Sequence, residues 1–459
     1  MSSFTPSSLK AALALGAGLA VFGFGAAASA QDAPPAVPAA PPGPVTQPAP
    51  PPGTTQPGPT QPQAAPAPPG TIAVPGAPAP PAAAAPTPPN YKLQYNGLID
   101  GYYLFNFHNP KNVSQGAGEA YYDTRHNSPA LSLAEMNVFQ NAAPGKFGYK
   151  ATFMTGDTAD INHVNSFGSS LGEGRYKNVQ QLYGTYAFGA DGSGVDFGKF
   201  YTPFGYEVTE SNGNYNYSRS TAYAYVPFYH AGARIYTPVP GLAALTATFY
   251  LVNGVYNTPT MGVQNDSKRP GYIGQLNYTD PKGKFTLISE LGLGKQKDPF
   301  GLGTGIATKV LVNDTNFTYN FNANQLAGLD YVYRRFSPDD RPKDTVNAYA
   351  VYYRLALTPK TAVALRFSSG DEKTDGFTTF SNVNEAIVAT QVDAVHSRPY
   401  DVTATYEIKP VANFLTRIEY RHDHSNVPSF FGGNDDAASG ASRKDQDTLS
   451  LSGVFTFQQ

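Results

Sequence analysis

From residue 91 onward the chain alternates apolar and polar side chains in segments of about ten residues, the period and the length of a membrane-spanning β-strand. Successive side chains of a strand point to opposite faces, so a period of two gives each segment one apolar and one polar face. In 346–357, Ala348, Ala350, Tyr352 and Arg354 share one face, and Tyr349, Val351, Tyr353 and Leu355 the other. The next segment sets Val363, Leu365 and Phe367 against Ala364, Arg366 and Ser368. Further on, Val402, Ala404, Tyr406 and Ile408 oppose Asp401, Thr403, Thr405 and Glu407, and Leu449, Leu451, Phe455 and Phe457 oppose Ser450, Ser452 and Thr456. Alternation alone also fits a soluble sandwich. The connections decide for a membrane barrel. Short turns fall at 143–146, 190–194, 238–242, 280–284, 322–325, 358–361 and 409–413. Between them lie long, polar, Gly-rich connections near 108–130, 156–178, 202–230, 254–271, 295–316, 337–344, 370–398 and 425–446. Short periplasmic turns on one rim and long loops on the other are how outer-membrane barrels are built.

Seven turns and eight loops imply sixteen strands with both ends on the periplasmic rim; 317–321 is the weakest segment, so fourteen and eighteen stay open. The expected fold is therefore all-β, a transmembrane antiparallel up-and-down barrel of about 16 strands. At that size the lumen holds water, whereas about eight strands would be filled by side chains. The composition agrees: 31 Tyr and 28 Phe stand against only 14% charged residues. Tyr suits a boundary between apolar and wet surroundings, and a membrane barrel has two such boundaries. Every outward face reads as apolar, with no signature of a subunit interface; a monomer and a homo-oligomer such as a trimer are both compatible.

Ahead of the strands, Lys10, an apolar stretch over 11–27 and the small residues Ala28-Ser29-Ala30 form a signal-peptide pattern, giving residues 1–30 as a leader cleaved before Gln31. No later segment reaches the roughly 18 apolar residues of a spanning helix. Residues 31–90 are almost all Pro, Ala, Gly, Thr and Gln, a disordered, semi-rigid linker expected in the periplasm, within reach of the cell wall. Residues 91–459 form the barrel domain. A net charge of −2 with no Lys/Arg run gives no nucleic-acid partner, and the absence of Cys excludes disulfides and thiolate chemistry. The expected partners are outer-membrane lipid and small hydrophilic solutes.

At 196–217 the sequence runs DFGKFYTPFGYEVTESNGNYNY, followed by Ser218-Arg219-Ser220 and by VPFYHAGARI at 226–235. This resembles the OmpL-like β-barrel porin family, in which a GKF-x-TP-x-GYE run precedes an NYNYSR segment and a PFYH-x-GAR strand. GYYLFNF at 101–107, LSLAEMNVF at 131–139 and LVNGVYN at 251–257 extend the resemblance, and the second half follows by pattern only. The resemblance implies an outer-membrane porin passing small hydrophilic solutes or ions by diffusion; the alternative is a structural or adhesive outer-membrane protein whose linker grips the cell wall. The chain departs from such barrels at its last residues, where Gln458-Gln459 follow Phe457 in place of a terminal aromatic residue.

The third long loop, 202–230, is the one porins commonly fold inward, which makes Glu207, Glu210 and Arg219 candidate constriction residues. Alternatively, its aromatic run of Tyr215, Tyr217, Tyr223, Tyr225 and Phe228 packs the loop against the wall. Strand parity turns Lys150, Arg234, Asp330, Arg334, Arg354, Arg366, Glu407, Arg417, Glu419 and Arg421 toward the lumen, since a charge facing the midplane lipid costs about 2 to 4 kcal/mol for Arg or Lys. There they either set ion preference through the local field or pair with Asp401, Glu407 and Glu419 to stiffen the wall. Lys199 breaks parity and belongs at a rim or after a bulge. No catalytic set, metal site or cofactor motif emerges. His422-Asp423-His424 has the residue types of an acid/base cluster without partners, Gly301-Leu302-Gly303-Thr304-Gly305 lacks the Lys-Ser/Thr of a phosphate loop, and Asp339-Asp340 and Asp435-Asp436 lack calcium-loop spacing.

Overall fold

A computed structural model describes residues 91–111, 121–162, 178–256, 269–297, 306–339, 342–374, 380–383, 386–389, 395–433, 435 and 441–458. The expected leader and linker lie outside the described residues, as do Gly301-Leu302-Gly303-Thr304-Gly305, Asp340 and Asp436.

Sixteen strands follow one another around a closed antiparallel barrel. They are β1 (Gln94–Asn106), β2 (Pro129–Gln140), β3 (Lys146–Thr155), β4 (Val179–Ala187), β5 (Gly194–Tyr201), β6 (Tyr229–Val239), β7 (Leu242–Val252) and β8 (Gly271–Thr279), then β9 (Phe285–Lys297), β10 (Ala307–Asn322), β11 (Gln325–Pro338), β12 (Asp344–Thr358), β13 (Thr361–Thr374), β14 (Tyr400–Val411), β15 (Phe414–His424) and β16 (Asp445–Gln458). Each pairs with its sequence neighbours, and β1 closes the ring on β16 from Asn96↔Gln458 to Asn106↔Thr448. Closure leaves no strand edge unpaired, which is the condition for a sheet to stand in lipid. All seven short turns lie where the sequence puts them, on the rim that also carries the start of β1 and the end of β16. On the other rim a short strand, Val395–Ser397, extends the pairing of β13 above β14, and Phe380–Val383 pairs with Ala386–Ala389.

Two expectations need correction. The connection read at 295–316 is mostly strand, because β10 begins at Ala307 and, at 16 residues, is the longest in the barrel; 317–321 is its end. Its register with β9 is unbroken from Ala307↔Lys297 to Tyr319↔Phe285. The alternation is masked because Val310 and Val312 share the inward face with Asp314 and Asn316, while Asn313 and Thr315 share the outward face with Leu311 and Phe317. The same residues show that the outward faces are not uniformly apolar. Ser289 of β9 and Thr315 are 3.5 Å apart, and Asn313 satisfies itself on the Glu290 carbonyl at 2.8 Å.

Elsewhere the outer surface is what lipid requires. Phe197, Leu451 and Leu365 are 73%, 55% and 52% exposed, and large apolar side chains recur on every side of the barrel. A water-soluble protein rarely exposes so much contiguous apolar surface. Aromatic pairs mark the boundaries: Tyr278, Phe285, Phe317 and Tyr319 adjoin near the turns, and Tyr349, Phe367 and Tyr400 nearer the loops. Among the described residues no helix is long and apolar enough to cross a membrane.

Outward and inward positions of one strand should therefore respond oppositely to charge. Leu365→Arg, on the lipid face, is expected to lower the unfolding free energy in vesicles by about 2 to 4 kcal/mol in a urea titration. A loss below 0.5 kcal/mol would count against lipid contact at this face.

Candidate functional site: a loop folded into the lumen

Between β5 and β6 the chain does not stay outside the barrel. Residues 202–228 are buried almost throughout, with only Tyr206, Glu210, Asn212, Gly213 and Ala224 partly exposed, and their regular structure is limited to two single 3₁₀ turns, Ser211–Gly213 and Ala222–Tyr225. Such a backbone cannot satisfy its own N–H and C=O groups, and leaving them unmade inside a barrel is costly. The wall supplies the partners.

Carboxylates take the amides. Gly205 N–H donates to Asp314, Tyr217 and Ser218 N–H donate to the two oxygens of Glu419 at 2.5 and 2.9 Å, and Thr221 N–H reaches Ser368 Oγ at 2.8 Å and Asp401 at 3.2 Å. Guanidiniums take the carbonyls. Arg366 donates to Ser218 O at 2.5 Å, Arg417 to Ser211 O and Asn214 O at 3.1 and 2.6 Å, and Arg421 to Arg219 O at 2.5 Å. From within the loop, Arg219 donates to Val208 O and Thr209 O at 2.9 and 2.5 Å and to Tyr217 O.

Arg366 is the centre of this network. Its guanidinium lies 2.9 Å from Asp401 and 3.1 Å from Glu207, whose carboxylate also accepts Ser220 N–H at 2.7 Å. Beside it, Glu407 binds Arg354 at 2.7 Å and Arg417 at 3.5 Å. Asp100 of β1 accepts Ser211 Oγ at 2.5 Å and Tyr217 OH at 3.0 Å, so the loop reaches from the β10 wall across to β1. Aromatic packing completes the seat: Tyr206 stacks on Tyr352 of β12 at 4.6 Å, and Tyr217 lies 5.9 Å from Tyr102.

Two other connections cover the mouth. The helix α1 (Asp157–Asn162) buries Ala159 among Leu98, Leu133 and Met154, and Tyr122 hydrogen-bonds Asn162 and Tyr223 at 2.7 and 2.8 Å. The inward side chains nearest the turns, among them Lys150, Thr185, Tyr236, Asn277 and Thr318, are half-buried and mostly polar. The lumen thus has a packed loop layer above a polar vestibule on the turn side.

All ten charges assigned inward by parity point inward, nine buried and Lys150 half-buried. Of the three constriction candidates, Glu207 and Arg219 are absorbed in loop and wall packing, Arg219 lying 5.1 Å from the Tyr122 ring. Glu210 stays partly exposed and accepts Tyr201 OH at 2.6 Å. The two readings of the loop coincide: it enters the lumen, and its aromatic residues pack it there. Parity had not singled out Asp100, Glu135, Asp196, Glu290, Asp314 and Glu372. Asp196 pairs with Arg234 at 2.7 Å, Glu372 with Arg334 at 3.5 Å, and Glu290 accepts Gln275 at 2.7 Å. Apolar inward neighbours such as Leu98 and Val312 had hidden several of them. Lys199 is buried, its ammonium 4.2 Å from the Tyr229 ring centroid and 2.6 Å from the Val179 carbonyl it caps. His422-Asp423-His424 is split by the wall: Asp423 is buried against Arg421, while the histidines pair outside with Asp447 and Asp445 at 2.9 and 2.5 Å.

Asp123, in the loop after β1, is buried, and removal from water together with the charge of Glu419 pushes its carboxyl up to about 8. The folded chain therefore holds a proton that the unfolded chain releases near its ordinary value of 3.8, and this group's contribution to stability declines as pH rises from there to about 8. Amide exchange around residues 121–125, corrected for intrinsic rate, is expected to be faster at pH 9 than at pH 6, and Asp123→Asn should flatten the difference. For Arg366→Ala, which strands Asp401 and Glu207 without a cation, a loss of about 3 to 5 kcal/mol is expected. Limited proteolysis within 202–228 should appear in the variant and not in the parent protein.

With the geometry in place, the chain can be set beside known proteins. The sequence profile of the family described as "Putative beta-barrel porin-2, OmpL-like" matches residues 92–457. Comparison with curated protein sequences finds no match. Among solved structures, the outer-membrane channel DcaP of Acinetobacter baumannii is similar at a TM-score of 0.52 and 10% identity, covering 80% of this chain and 97% of its own. The trimer form of OmpT of Vibrio cholerae gives 0.51 at 10% identity, with coverage of 80% and 99%. An anion-selective porin from Comamonas acidovorans gives 0.50 at 13%, again covering 80% and 99%. At these identities the likeness concerns the fold.

Proposed function

Because the chain belongs to the OmpL-like β-barrel porin family, we propose that it is an outer-membrane diffusion channel for small hydrophilic solutes or ions, with the loop 202–228 as its sieve. The observation that carries this reading is the polarity of the inner wall: charges and amides face inward around a ring of sixteen strands whose outer face is apolar. A merely structural barrel has no need of an inner wall held polar at that cost. The loop restricts passage by size, and the half-buried polar side chains beneath it, Lys150 and Glu210 among them, meet the solute.

One observation favours the structural alternative. The charges that seat the loop, Arg366, Asp401 and Glu419, are buried, as they would be in a plug. The position of β1 supports a further part of the reading: its first residue lies on the turn rim, so a leader at 1–30 and a linker at 31–90 would deliver the linker into the periplasm, near the cell wall.

Planar-bilayer recording from the refolded chain separates the readings. Stable conductance steps are expected, and Arg366→Ala, by loosening the sieve, should increase step size or open-state noise. A folded barrel that inserts and stays silent would leave the structural reading.

A further inference from the structure

The two rims of the barrel are built from different charges. On the loop rim, bases are matched with acids: Lys295 with Asp339 at 2.7 Å, His396 with Asp371 at 2.5 Å, and the histidines of β15 with Asp447 and Asp445. Among the described residues, the charged residues of the turn rim are Lys92, Lys146, Lys282, Lys284, Lys360 and Lys409, all exposed, against Asp191 and Asp280. Arg, Glu and His are missing from these turns. Both aspartates are turned into their own turns, Asp191 accepting Ser193 N–H at 3.0 Å and Asp280 accepting Lys284 N–H at 2.9 Å. Six lysines against two aspartates leave a net charge of four positive around this mouth.

Turn chemistry does not require lysine. The turns at 238–242 and 322–325, Pro-Val-Pro-Gly-Leu and Asn-Ala-Asn-Gln, carry no charge. Inside the mouth the charges are mixed in sign and mostly buried, whereas the collar is exposed and of one sign. On the wall Asp196 is paired with Arg234 and Arg354 with Glu407, Glu290 and Asp314 are held by the neutral donors Gln275 and Gly205 N–H, and the half-buried Lys150 acts on the buried Glu135. A ring of one sign around a low-dielectric opening focuses its field along the axis and enriches counter-ions there.

We propose that this lysine collar makes the channel anion-selective and acts from the periplasmic mouth, so that its preferred solutes are small anions such as carboxylates and inorganic anions. The proposal rests on the channel reading above and adds the class of solute to it. Because the collar is exposed, its reach is set by the Debye length, about 30 Å at 0.01 M salt and about 3 Å at 1 M.

The test is reversal-potential measurement on the refolded full chain in a tenfold KCl gradient, alongside a variant with all six lysines changed to Gln. An anion-to-cation permeability ratio of roughly 5 to 10 is expected near 0.01 M, falling toward 1 at 1 M. In the variant the low-salt ratio should drop to about 1 while step conductance at 1 M is unchanged, since all six side chains are exposed and Gln keeps the backbone pairing of Lys146 and Lys409. A ratio that survives the six substitutions, or a cation preference in the parent chain, would overturn the collar and leave the lysines as contacts for inner-leaflet headgroups. An inserted barrel that carries no current would instead overturn the channel reading, and the collar with it, so the two failures are told apart by whether current flows.

Discussion

An irregular backbone enclosed by a membrane barrel has to find a partner for every N–H and C=O it buries, and here those partners are charged side chains of the wall. This constraint organises the interior. The loop 202–228 has almost no backbone-to-backbone hydrogen bonds of its own beyond two single turns, so Glu419, Asp401 and Asp314 stand in for missing acceptors and Arg366, Arg417 and Arg421 for missing donors. Hydrogen bonds to charged groups are worth more than neutral ones, roughly 1.5 to 3 kcal/mol each. They also fix direction, because a guanidinium presents its donors in a rigid fork. A loop held this way has one seat rather than many.

The same arrangement resolves the cost of burying charge. A lone arginine in the packed lumen would be heavily penalised by desolvation, and ion pairing with one carboxylate seldom repays it. Arg366 is given two carboxylates, a carbonyl and two hydroxyls, so that no part of its fork is left bare. The loop and the wall charges thus depend on each other: the loop is ordered because the charges are there, and the charges are tolerable because the loop is. On the channel reading proposed above, permeation would use what this seat leaves over, the half-buried polar surface beneath the loop.

How much of this the sequence discloses depends on how cleanly lipid and water sort the side chains. Where one face is wholly apolar, as in β12, β13 and β14, strand, parity and inward charge are all legible. Where both faces mix, as in β10, the strand disappears into what reads as a loop, although its backbone pairs without a break. The partners of the inward charges were legible in part. Arg354 and Arg366 pair with Glu407 and Asp401 on the next hairpin, as neighbouring strands allow. Glu419, by contrast, takes the amides of a loop about two hundred residues away, a contact that no periodicity encodes. The aromatic run of the loop was visible, but its two readings could be separated only by seeing that packing and entry into the lumen are the same event.

The contrast between the rims follows from the same sorting of side chains. The loop rim is made of long connections with room for acids and bases to meet, and there they neutralise one another at short distance. The turn rim has only two to six residues per connection, too few for cross-pairing, and its backbone is already closed by its own amides and by Asp191 and Asp280. The lysines on such turns stay exposed, as Lys360 does while its ammonium donates to the Pro410 carbonyl at 2.9 Å, and their charge acts largely through solvent. A lysine there is therefore either a contact for lipid headgroups or a source of field at the mouth, and because the inner charges are buried while the collar is exposed, its field is the part of the barrel's electrostatics that reaches furthest into the solvent on the turn side.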